Sequence, residues 1–110
     1  SWYGFVREGE AILRRERQII DEHVSHAREM EMDGHKVLAV NATVLFSEIA
    51  GELAKDRPFG ACYFDRQDGK RVWSLRSRNG GIDVAKVAKL HGGGGNPQAA
   101  GFEEDGLARK

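Results

Sequence analysis

The sequence predicts a mixed α/β (α+β) single domain: a small mixed β-sheet with packed helices and a long N-terminal helix. Three observations predict it. An apolar stripe at helical spacing runs through residues 8–32, strand-like apolar runs recur at 35–40, 59–64 and 71–77, and the stretches alternate in type along the chain. A chain of 110 residues is one domain of ordinary size, long enough to bury a core.

The first helix is expected over residues 8–32, with Ile12, Ile19, Ile20, Val24 and Ala27 on its apolar stripe and Asp33-Gly34 ending it. Residues 35–40 follow as a short buried strand, Val37-Leu38-Ala39-Val40. Thr43 offers a cap for a second helix over residues 44–55, with apolar positions Val44, Leu45, Ile49 and Leu53. Residues 59–64 read as a strand. Asp68-Gly69 is a hairpin turn, and 71–77 is the returning strand. There Val72, Ser74 and Arg76 share one face, Trp73, Leu75 and Ser77 the other. A third helix, capped by Asp83, runs over residues 84–91 and stops at Gly92. A last edge strand is expected at Gly101-Phe102-Glu103.

Composition removes several classes of function. Charged residues are 31% of the chain and the formal net charge is zero, which argues against bulk electrostatic binding to long nucleic acid. A single cysteine, Cys62, provides neither a disulfide framework nor a metal cluster, in keeping with a reducing, cytoplasmic compartment. It sits in an apolar run, so it reads as a buried structural thiol. No stretch approaches the length of a membrane span, and no signal peptide is visible. The chain begins without Met, from which a longer parent protein is expected.

The most informative segment is His91-Gly92-Gly93-Gly94-Gly95-Asn96-Pro97-Gln98-Ala99-Ala100-Gly101-Phe102. Four consecutive glycines are costly to order, so a folded chain keeps them where backbone must approach something closely. Asn96-Pro97 directly after them reads as a helix start, Asn at the N-cap and Pro at the first helical position. A glycine loop running into a helix N-terminus would form a pocket for phosphate or carboxylate. A flexible linker is the competing reading, weakened by the cap, the two alanines and the apolar Phe102 that follow. Neither a Walker loop nor a dinucleotide fingerprint fits this spacing.

Upstream, Arg76-Ser77-Arg78 ends a strand just ahead of the turn Asn79-Gly80-Gly81. Arginine's planar fork suits phosphate oxygens, and Arg76, among small and apolar strand neighbours, is expected to share a pocket with Gly92, Gly93, Gly94, Gly95 and Asn96. Arg78 alone reads as a solvated surface residue. His23 and His26 lie three apart on the first helix beside Asp21 and Glu22, but no further ligands at a metal-site spacing accompany them. No nucleophile–base arrangement is legible.

Three blocks together resemble a known family. Ser74-Leu75-Arg76-Ser77, then Gly81-Ile82-Asp83-Val84 with Val87-Ala88, then the glycine run through Ala99-Ala100-Gly101-Phe102, look like the DHH-associated C-terminal domain of DHH-family phosphoesterases. The likeness covers roughly residues 36–104, and Gly9-Glu10-Ala11-Ile12-Leu13 is similar to the connecting segment of the exopolyphosphatase-related branch. It implies residues 1–34 as a connecting helix, 35–105 as a substrate-binding domain and 106–110 as a tail.

The resemblance further implies a two-domain phosphohydrolase whose N-terminal DHH domain holds divalent metal, usually manganese. The domain in this chain would bind short oligonucleotides, nucleotides or polyphosphate through Arg76, Ser77, the four glycines and Asn96. No metal, cofactor or catalytic residue is assigned to the chain itself, which alone is expected to hydrolyse nothing. Two departures stand out. Asn96 occupies the position of the family's loop histidine, keeping a donor but never a charge. No Asp-His-His motif is present. The rival reading is a non-catalytic RNA- or nucleotide-binding module similar to the C-terminal domain of some alanyl-tRNA synthetases. A homodimer stays open, with Trp2, Tyr3 and Phe5 as apolar surface for a neighbour.

Overall fold

A hairpin, a parallel crossover and a second hairpin system build one six-stranded sheet in the order β1-β2-β3-β4-β6-β5. The computed structural model describes residues 2–106; the side chains of Trp2, Tyr3 and Phe5, and with them the apolar surface expected there, lie outside the description. The elements are α1 (Trp2–Ser25), β1 (Arg28–Met32), β2 (His35–Asn41), α2 (Phe46–Leu53), β3 (Gly60–Asp65), β4 (Arg71–Arg76), α3 (Val84–Leu90), β5 (Gly94–Asn96) and β6 (Ala99–Glu104). Only β2 and β3 run parallel, and α2 crosses between them. The protein is thus a single α+β domain with a long N-terminal helix and a mixed sheet.

The period-two pattern sorts the core by face. Val37, Ala61, Leu75, Ala100 and Phe102 point to the side covered by α3, where they meet Phe59, Val84, Val87 and Ala88. Val40 and Cys62 point to the other side and meet Ile49, Ala50 and Leu53 of α2 and Ile20 of α1. Gly60 lets α2 lie directly on β3: a Cβ there would meet Leu53 Cβ and Ala54 N at 2.8 Å. Asp83 caps α3 as read, its carboxylate accepting from the Ala85 amide at 2.9 Å.

Four expectations need correction. The first helix stops at Ser25, and residues 28–32 form β1, because Met30 and Met32 alternate onto the α3 face while the strand pairs antiparallel with β2. The second helix begins at Phe46 rather than Val44, and its N-cap is Leu45 in the left-handed region (φ 48°), with no side-chain cap from Thr43. No helix follows Pro97. Asn96 pairs with Ala99, so Pro97-Gln98 is the tip of a tight β5–β6 turn, a position that proline's fixed φ also suits. The segment around Phe102 is therefore not an edge strand: β6 lies between β4 and β5, and β5 is the edge.

Cys62 is buried on the α2 face, its thiol donating to the Phe46 carbonyl with S···O 3.6 Å. Burial pushes its pKa up to about 12, against a smaller downward pull from the Arg76 charge. A thiol raised in the folded state keeps its proton where the unfolded chain loses it. Cys62 therefore contributes stability that is full below pH 9.0 and lost as pH rises towards about 12. The expected result is negligible alkylation of Cys62 by iodoacetamide at pH 8, with rapid alkylation in denaturant, read by intact mass.

Candidate functional site

The glycine run has no single explanation, and its four positions separate cleanly. Gly92 follows α3 in the left-handed region (φ 83°), where a helix commonly ends on glycine. Gly93 is a packing glycine: an added Cβ would strike the Gly101 carbonyl and come within 2.6 Å of Phe102 Cβ. Gly95 has φ 147° and its Cβ would lie 2.6 Å from Ala100 Cα. Gly94 differs. Its φ is not positive and a Cβ there meets nothing within 4 Å. The fold does not require glycine at Gly94.

Gly94 opens instead onto a cleft of about 720 Å³ on the sheet face opposite α3. Arg76, Ser74, Gly101 and Gly92–Gly95 line it, with Lys70, Glu103 and Asp105 towards the far end. Register explains the grouping. Gly94, Gly101, Ser74 and Cys62 lie opposite one another across β5, β6, β4 and β3, and the next row is Asn96, Ala99, Arg76 and Gly60. Three small residues in the first row leave the sheet backbone exposed as the cleft floor. The α2 helix covers this face over β2, β3 and the Arg76 end of β4, and leaves β6 and β5 open.

Arg76 is half-buried at the cleft wall, its guanidinium Nη2 donating to Ser47 Oγ at 2.7 Å and Nη1 to the Leu75 carbonyl at 3.0 Å. Those bonds fix the fork and leave further N–H donors for a ligand. Glu103 is engaged by Arg66 at 2.8 Å, so part of the negative charge at the far end is already matched.

Two of the residues singled out in sequence stand elsewhere. Ser77 is buried and does not line the cleft. Its hydroxyl donates to the Pro97 carbonyl at 3.1 Å and its amide to the Gln98 carbonyl at 3.1 Å, holding the β5–β6 turn. Asn96 shares Arg76's row by register but sits exposed outside the lining. Arg78 turns away, donating to the Gly51 carbonyl at 3.0 Å. Lys70, Glu103 and Asp105 are charged lining residues that sequence did not single out, and for Lys70 its place before β4, in step with Arg76, gave the only signal.

Among the described residues, no three His, Cys, Asp or Glu side chains converge on a point where a metal ion could sit. No helix among them is long and apolar enough to cross a membrane.

Searches with family models and among curated proteins find no match to this chain. A solved structure, an uncharacterized protein from Helicobacter pylori G27, resembles it with a TM-score of 0.53 over 71% of this chain at 24% identity. That is a likeness of fold. The match spans 22% of the length of the Helicobacter protein.

Proposed function

We propose that this chain is the substrate-binding domain of a metal-dependent phosphoesterase of the DHH class, taking the phosphate groups of short oligonucleotides, nucleotides or polyphosphate. Gly94 carries the reading: a residue bare of side chain without structural need, facing a cleft walled by a fixed arginine. The order of motifs around it supports the same assignment. Within the cleft the chain's task is to bind and orient. Arg76 offers charge-assisted hydrogen bonds to phosphate oxygens, and the glycine floor lets the ligand approach the sheet backbone. Metal chemistry belongs to a partner domain of the same protein.

Valine at Gly94 tests this directly, since it fits the open edge strand and fills the cleft. In calorimetric titrations with a short oligoribonucleotide, polyphosphate and a mononucleotide, Gly94→Val is expected to weaken binding at least about tenfold with the melting temperature unchanged. Equal affinity of both proteins for every ligand would overturn the reading. Tighter binding to a long RNA stem than to any short ligand would favour the RNA-binding module instead.

A further inference from the structure

A second cleft, of about 830 Å³, lies against the α3 side of the sheet, and the proposed function makes no use of it. It arises from a step in side-chain size. On this face β1 presents Met30 and Met32 and β2 presents Ala39, while Tyr63 and Trp73 rise from β3 and β4. The alanine between large neighbours leaves a trough.

Its walls are held in place from several directions. Tyr63, Trp73 and Phe102 stand in one register row across β3, β4 and β6, with centroid spacings of 5.0 Å and 6.1 Å. His91 stacks on Phe102 at 4.3 Å with the rings 14° apart. The same histidine's Nε2 lies 2.8 Å from Asp33 Oδ2, tying the β1–β2 turn to the end of α3 and closing one side. Opposite, the end of α1 brings His23 and His26 beside Arg28.

The charged groups around the trough are not equivalent. Arg71 is held by Asp65 at 2.8 Å, Glu104 accepts from Trp73 Nε1 at 2.9 Å, and Asp33 is bound to His91. Glu31 lines the cleft edge from β1, although it alternates with Met30 and Met32. At the α1 end, His23 Nδ1 donates to the Ile19 carbonyl at 2.7 Å, leaving Nε2 free. The side chains of Arg28 and His26 make no hydrogen bond or ion pair with the described residues, and Glu22 lines the rim beside them. The Arg71 guanidinium covers one face of the Tyr63 ring at 4.1 Å, so Met30, Ala39 and the Tyr63 edge form the apolar walls. Joined to an unpaired arginine and imidazoles, they match a planar ring carrying an anionic group.

We infer that this cleft binds a small planar aromatic anion, the ring over Ala39 between Met30 and the edge of Tyr63, and the carboxylate or phosphate on Arg28 and His26. This site lies across the sheet from the glycine cleft and does not depend on its assignment.

The test is an NMR titration of the full chain, following the Trp73 indole N–H and the Met30 and Met32 methyls. The probes are 2-naphthoate and adenosine monophosphate, each beside its uncharged counterpart, 2-naphthamide or adenosine. The expected result is saturable shifts at these three side chains with at least one anion, with Kd below about 1 mM. Arg28→Glu, at an exposed position, should weaken that anion at least about tenfold and leave the neutral counterpart unchanged. Saturation by naphthoate alone would assign a carboxylate ligand, and by the nucleotide alone a phosphate ligand. No saturable shift, equal affinity in Arg28→Glu, shifts confined to Gly94 and Ser74, or the same shifts on concentrating the protein without ligand would each overturn the inference.

Discussion

Gly93→Ala is expected to destabilise the protein by about 3 kcal/mol, whereas Gly94→Ala one residue later should stay within about 0.5 kcal/mol of the parent. The contrast is geometric. The added methyl at Gly93 would run into the Gly101 carbonyl and sit 2.8 Å from Phe102 Cα, both backbone of β6 that cannot swing aside. Phe102 is a core residue on the α3 face, so moving its backbone disturbs the packing of α3 as well as the edge strand. At Gly94 the methyl enters open space at a backbone conformation any residue adopts, and alanine even reduces the freedom of the unfolded chain. Urea unfolding of the two variants beside the parent measures both numbers. Similar losses at the two positions would mean that β5 does not pair with β6 as described.

The second large effect is on binding. Arg76→Ala is expected to lower affinity for a phosphate ligand by about 10- to 100-fold, the range for losing one or two hydrogen bonds to a charged group. The same change frees the Ser47 hydroxyl, which is close enough to solvent to find water, so stability should fall by only about 1 kcal/mol. Arg76→Lys should recover part of the affinity at most, because a point charge replaces a planar fork already oriented by Ser47 and the Leu75 carbonyl. Titration calorimetry separates these outcomes, and an unchanged Kd in Arg76→Ala would remove Arg76 from the site.

How much of this was legible in the sequence depends on whether local chemistry or long-range pairing decides. The Asp83 cap of α3 and the β3–β4 hairpin at Asp68-Gly69 were readable because each is settled within a few residues. The strand β1 was not. Arg28, Glu29, Met30, Glu31 and Met32 are all good helix formers, and only pairing with β2 turns their two-residue alternation into a strand. Asn96-Pro97 misled for a related reason: the dipeptide suits a helix start and a turn equally, and β4, pairing along the whole of β6, selects the turn.

The glycine cleft was half legible. Arg76 and the glycines could be suspected of sharing a pocket, but Ser77 looked like a ligand and proves to hold the turn. The aromatic cleft left no trace in the sequence, since Tyr63, Trp73 and Phe102 each read as ordinary core positions. Their alignment in one row depends on the register of three strands.

On the proposed reading, the glycine-floored face beside Arg76 receives phosphate. Backbone amide shifts of the full chain, mapped during titration with a short oligoribonucleotide, locate the ligand residue by residue. The expected result is saturable shifts clustered at Gly92–Gly95, Gly101, Ser74 and Arg76, lost in Gly94→Val. Shifts absent from that face, or unaltered by valine at Gly94, would contradict it.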